Sequence, residues 1–201
     1  MHICFEGCSG SGKTTQALLL TDSLNAIGIG AKYVKSPSCH TFGKKIEEAI
    51  HSETPLPVAE ILAFAACYFQ IVNGVIRPAL EKGLWIVSDR GIGSSFAHAL
   101  YRHRGAVSRD WFENLLSVFG GGSALYPDLT FFLSLQAELG YSRKAGSNDL
   151  SRLDDLNEGS LLEAMAIADL AAQFDWIGID ASRDAEIVAG DVWKEISGRC
   201  F

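Results

Sequence analysis

A chain of 201 residues, 48% hydrophobic and 20% charged, has the composition of one globular domain long enough to bury a full core. Its net charge of −7 argues against a surface built for nucleic acid or an anionic membrane, while leaving room for a local basic pocket. The most apolar run, Ile61 to Ile76, is broken by Gln70, Asn73 and Gly74 and reads as too short for a bilayer; with no basic segment ahead of the first strand, the expectation is a cytoplasmic protein.

The elements alternate. Met1 to Glu6 reads as a buried strand, followed by a glycine loop and a helix from Thr15. Ala31 to Lys35 reads as a second strand and Phe42 to Ile50 as a short helix. Pro57 suits the first turn of a long helix reaching about Leu80. Leu84 to Ser88 is the near-continuous apolar run of a central parallel strand. Ser94 to Tyr101 and Ser108 to Val118 read as helices, the second with Ser108 as N-cap. Leu129 to Leu133 is a fourth strand and Gln136 to Lys144 a helix. From Gly146 to Asn157 the chain is polar and without period. A helix (Gly159 to Phe174), a strand (Trp176 to Ile179) and a last helix (Arg183 to Ile196) follow. Five strands separated by helices predict a three-layer α/β fold around a parallel sheet, with ligands at the carboxyl ends of the strands.

Gly7-Cys8-Ser9-Gly10-Ser11-Gly12-Lys13-Thr14 matches the G-x-x-x-x-G-K-[ST] pattern between a strand and a helix, the context that pattern requires. Its backbone N–H groups and the helix N-terminus would cradle a polyphosphate, Lys13 would reach the β/γ-phosphates, and Thr14 would offer a hydroxyl to Mg²⁺. An accidental glycine-rich turn is the alternative, and the flanks weigh against it. After the third strand, Asp89 ends an apolar run where a metal-orienting carboxylate is needed, with Arg90 beside it as a phosphate clamp; a structural ion pair is the competing explanation. The loop has no arginine among Cys8, Ser9, Gly10 and Ser11. Further positive charge is therefore sought in the polar segment carrying Arg143, Lys144 and Arg152, read as a mobile lid. The five cysteines and five scattered histidines show no metal-binding spacing, and the cysteines read as reduced thiols.

These residues resemble the thymidylate kinases. Phe5-Glu6-Gly7 leading into Gly12-Lys13-Thr14-Thr15-Gln16, Phe64, Arg77-Pro78-Ala79-Leu80, Asp89-Arg90 with Ser94, Pro127-Asp128-Leu129-Thr130 and Ile179-Asp180-Ala181-Ser182 carry the likeness nearly end to end. Arg143 and Ser151-Arg152-Leu153-Asp154 fall where the bacterial type carries its lid arginines. The resemblance implies the P-loop NTPase fold of adenylate-kinase type, one domain over residues 1–201 with a lid at about 143–157. It also implies transfer of the γ-phosphate of ATP to dTMP, with Mg²⁺ and a homodimer built on the long helices. It assigns residues 7–15 (Gly7 to Thr15) and Arg143 to ATP, and Thr14 and Asp89 to the metal. Lys13, Asp89, Arg90 and Arg152 are assigned to catalysis, and Lys35, Phe64, Tyr68, Arg90 and Ser94 to the acceptor, with Phe64 stacking on its base.

Departures from the family pattern fall on the acceptor side. Lys35-Ser36-Pro37 stands where the family has Arg-Glu-Pro, and Tyr68 where it has an arginine. His98-Ala99 replaces Tyr-Gln, and Ser134 replaces a frequent acidic residue. Exchanging Arg for Tyr removes a fixed charge and a fork of donors. Two alternatives therefore stand beside dTMP phosphorylation: a kinase of the same fold for another monophosphate or metabolite, and a non-catalytic nucleotide-binding relative.

Overall fold

The computed structural model describes residues 1–146 and 157–200. Five parallel strands form one sheet in the order β2-β3-β1-β4-β5: β1 (His2–Glu6), β2 (Ala31–Lys35), β3 (Trp85–Asp89), β4 (Leu129–Ser134) and β5 (Ile177–Asp180). Pairing of Phe5 with Asp89 between β1 and β3 brings the ends of the two central strands level, so the loops that follow them open side by side. The predicted strands are all present, each within a residue or so of its predicted ends.

Helices α1 (Lys13–Ala26) and α9 (Ala185–Cys200) cover one face of the sheet. Ala17, Leu20 and Leu24 of α1 and Val188, Val192 and Ile196 of α9 close there over Ile3, Phe5, Val87 and Phe131. The other face carries α3 (Pro57–Ile71), α4 (Arg77–Glu81), α5 (Ile92–Ala97), α6 (Arg109–Ser117) and α8 (Glu158–Gln173). Helix α2 (Thr41–Ser52) packs beside α3, and α7 (Ala137–Gly146) follows β4. Ser108 caps α6 as predicted, accepting a hydrogen bond from the Trp111 N–H at 3.1 Å.

Two helices differ from the prediction by carrying a π-helical turn. Val72–Ile76 joins α3 to α4, and His98–Arg102 continues α5. Pro78 lacks the N–H that an α-helix would require there, and the wider turn just before it accommodates that loss. By length and composition, the resulting continuous helix Pro57–Glu81 (25 residues, mean hydropathy 1.6) is enough to cross a bilayer, longer than the apolar run anticipated. Here Ile61, Tyr68, Ile71 and Ile76 belong to the core and Glu60 is fully buried, the pattern of a core helix. Arg77 ties this helix to the end of α6, its Nη2 donating to the carbonyls of Phe119 (2.9 Å) and Gly120 (2.8 Å).

Candidate active site

The glycine loop wraps the N-terminus of α1. Gly10 (φ 74°) and Gly12 (φ 92°) take left-handed backbone conformations that other residues adopt at a cost. The buried Lys13 folds back over the loop, Nζ donating to the carbonyls of Gly7 (2.9 Å) and Cys8 (2.6 Å). Burial, reinforced by the nearby Arg90, lowers its pKa to about 8. Ser11 is buried with its hydroxyl 3.4 Å from Lys13 Nζ, whereas Thr15 is exposed and outside the cleft wall. Cys8 sits in the loop as a partly buried filler, its thiol directed at the Leu135 carbonyl and pushed up in pKa by burial.

Across the loop, Thr14 Oγ1 donates to Asp89 Oδ2 at 2.5 Å, and Tyr33 Oη donates to the same oxygen at 3.2 Å. A hydroxyl, a buried carboxylate and a neighbouring phosphate cradle make an all-oxygen donor set. That suits Mg²⁺, which binds through one or two protein oxygens together with substrate phosphates and water.

Arg90 follows with a left-handed backbone (φ 71°), unusual for a residue with a side chain. Its N–H donates to the Phe5 carbonyl at 3.1 Å, and Nη1 donates to Ser94 Oγ at 3.3 Å. Beneath it lies Glu6, 1% exposed. Glu6 Oε1 accepts the N–H groups of Gly91 (3.0 Å) and Ser94 (2.9 Å), and Oε2 accepts the Ser94 hydroxyl. Burial raises the Glu6 pKa, opposed by these donors and by Arg90 and Lys13. Glu6 therefore fixes the turn that presents Arg90. Its role was missed in the sequence, although a carboxylate closing an otherwise apolar strand was the available signal.

Loop, Asp89 and Arg90 open into a cleft of about 430 Å³. At its far end Phe64 is half-buried in the wall and meets His98 edge to face (centroids 4.7 Å apart, 76°). Tyr68 lines the same end but is 2% exposed. It packs on Phe119 (5.9 Å), and its hydroxyl donates to the Leu125 carbonyl at 3.3 Å. Ala99 is buried in the core, and Lys35 stands exposed at the rim.

Arg143 lines the cleft, yet its guanidinium donates to the carbonyls of Ala181 (2.9 Å) and Ser182 (3.1 Å), strapping α7 to the loop after β5. Arg143, expected among the ATP-binding residues, thus lines the cleft while holding these two carbonyls. Arg152 and residues 147–156 of the lid expected at about 143–157 lie outside the described residues. The helix α8 contributes Glu163 to the cleft, a residue that no local pattern marked.

The family model for thymidylate kinase matches residues 5–192. The chain belongs to the thymidylate kinase family. Among curated relatives, it is 33% identical to a thymidylate kinase of Thermomicrobium roseum over 97% of this chain and 93% of that one. Likeness to a thymidylate kinase of Synechococcus sp. (strain CC9605) is 33%, covering 96% of this chain and 95% of the other. A thymidylate kinase of Roseiflexus sp. (strain RS-1) is 32% identical over 96% and 91%. Such coverage makes the chain an ATP-dependent nucleoside-monophosphate kinase by family, with the five-stranded α/β fold described above.

Proposed function

We propose that this chain transfers the γ-phosphate of ATP to dTMP, giving ADP and dTDP. The observation that carries the reading is that one cleft joins the phosphate loop, with Asp89 and Arg90 at its mouth, to an aromatic wall at Phe64. A phosphate oxygen of the acceptor attacks the γ-phosphorus in line, and the bridging oxygen leaves with ADP. No covalent intermediate is needed, so the protein contributes positioning and charge.

Lys13 turns from the loop carbonyls to the β/γ-phosphates. Thr14 and Asp89 would hold Mg²⁺, which would supply positive charge against the charge developing on the transferred phosphate. Arg90, presented by Glu6 and Ser94, clamps the acceptor phosphate, and Phe64 stacks on its base. Lys35 reaches in from the rim. The loop supplies no arginine, so Arg152 completes the charge on the migrating group from a lid at about 143–157, within a single kinase domain. The reading includes a homodimer, supported by Val58, Leu62 and Phe69, which leave an apolar stripe of α3 exposed.

A second reading keeps the chemistry and changes the acceptor. Tyr68 favours it, because its hydroxyl is spent on Leu125 and it offers the acceptor no charged fork. An ADP-release assay with ATP and Mg²⁺ across a panel of monophosphates tests both. dTMP is expected to give the highest kcat/KM. Turnover of another monophosphate without dTMP would transfer the assignment to that acceptor, and ATP binding without transfer to any would end the kinase reading.

A further inference from the structure

At the Phe64 end of the cleft, where His98 lines the wall, three side chains from two elements converge. Glu60 comes from the first turn of α3 and is fully buried, while His98 and His103 bracket the π-helical turn after α5. His98 Nε2 lies 3.0 Å and His103 Nε2 2.9 Å from one carboxylate oxygen, Glu60 Oε1. All three ligand atoms fall within 4.8 Å of one another. His98 is 8% exposed, and its Nε2, though close to Glu60, is not aligned for a hydrogen bond. A buried imidazole nitrogen is thus aimed into the cluster without a hydrogen-bond partner.

Reading the histidines as scattered missed this grouping for a geometric reason. Residues five apart stand about 140° apart around an α-helix, too far to share a ligand. The π-helical turn is wider, and its closing hydrogen bond from His103 N to His98 O (3.3 Å) brings the two rings edge to face, centroids 5.0 Å apart.

We propose that Glu60, His98 and His103 form a binding site for a divalent transition metal of the zinc class, separate from the Mg²⁺ position at Thr14 and Asp89. Two imidazoles and a carboxylate are the borderline donor set that such ions prefer, whereas Mg²⁺ favours oxygen alone. Glu60 Oε1 and either imidazole nitrogen, 3.0 and 2.9 Å apart, subtend about 90° at a metal with bonds of about 2.0–2.1 Å. Support behind the ligands is present as well. His98 Nδ1 faces Glu163 Oε2 at 3.8 Å, and Arg102 Nη1 donates to that same oxygen at 3.1 Å. A carboxylate behind a ligating imidazole orients the ring and leaves the other nitrogen for the metal. The site would pin α3 to the turn after α5. The competing state is a plain ion-paired cluster in which protons occupy the position of the metal.

Cobalt(II) separates the two states, with zinc as competitor. The reduced full-length chain, stripped by chelator and held in excess Mg²⁺, is titrated with Co²⁺ and read by visible absorption. One Co²⁺ per chain is expected, with d–d bands, without the intense thiolate charge-transfer band that cysteine ligation would give, and displaced by Zn²⁺. His103→Ala alters a partly exposed position outside the cleft lining and should fold, as far-UV circular dichroism would verify. It is expected to weaken Co²⁺ binding by at least about tenfold, and Glu163→Gln by about 10–100-fold. Absence of d–d bands, a thiolate band in their place, or unchanged binding by His103→Ala would each overturn the site.

Discussion

Glu6 holds two buried backbone N–H groups and one hydroxyl on a single carboxylate, and Arg90 depends on the turn they fix. Truncation to alanine would leave the N–H groups of Gly91 and Ser94 without partners, each costing roughly 1–3 kcal/mol. Glutamine differs: its carbonyl oxygen can accept both N–H groups while its amide donates to Ser94 Oγ, which turns its own proton away. Glu6→Ala is therefore expected to lose about 3 kcal/mol in urea unfolding and to raise the acceptor KM, because Arg90 loosens. Glu6→Gln should recover most of the stability. Equal losses in the two variants would show that the charge, and not the hydrogen-bond count, holds the turn. Arg90 itself stores strain in its left-handed backbone, and Phe5 O and Ser94, which take its N–H groups, help to hold it there.

Among the elements, α7 governs the loop by direct backbone contact. A Cβ on Gly140 would run into the Ser9 carbonyl oxygen, and one on Gly10 into the Gly140 backbone, so two glycines let a helix and a phosphate loop touch. Backbone cannot give way as a flexible side chain can. Gly140→Ala should push α7 off the loop, weaken ATP binding by about tenfold in a titration, and slacken the Arg143 strap, a cost of about 1.4 kcal/mol. Gly190→Ala makes the contrast: exposed in α9 with open space around its Cα, it should gain about 0.5–1 kcal/mol in thermal unfolding. The elements themselves were legible because periodicity is local. Apolar runs such as Trp85 to Val87 and the glycine loop carry their own signal within a few residues. Partnerships across the chain carried none. Nothing near Tyr68 says that its hydroxyl will reach Leu125, nor anything near Glu163 that it will stand behind His98. The π-helical turns were equally silent, since the same apolar period fits an α-helix, and one of them decides whether His98 and His103 can meet.

For the whole molecule, one source of acid sensitivity is expected at the far end of the sheet from the cleft. His2 is fully buried where β1, β3 and the loop before β4 join: Nδ1 donates to the Ser123 carbonyl at 2.6 Å, and Nε2 lies 2.9 Å from Ser88 Oγ. Burial pulls its pKa down to about 4, against 6.5 for the free imidazole. Between these values the unfolded chain takes up a proton that the folded chain refuses, so stability falls as pH falls, by about 3 kcal/mol at the bottom of the window. Above about pH 6.5 the imidazole is neutral in both states and the term vanishes. Two other buried groups leave the window clear. Glu163, whose burial is outweighed by its pairing with His98, is held to about 2, so its stabilisation is lost only as pH drops below the ordinary carboxylate range. His98 is opposed by burial, but Glu163 and Glu60 raise it overall; its contribution is complete below the free imidazole value and is lost only as pH rises through its folded pKa. His2→Gln keeps a donor for Ser123 and removes the titrating ring. In urea unfolding the variant should be less stable at about pH 7, and its deficit should shrink by about 3 kcal/mol as pH approaches about 4. A constant offset between the two proteins across that range would mean that His2 is charged in the fold, and that acid sensitivity originates elsewhere.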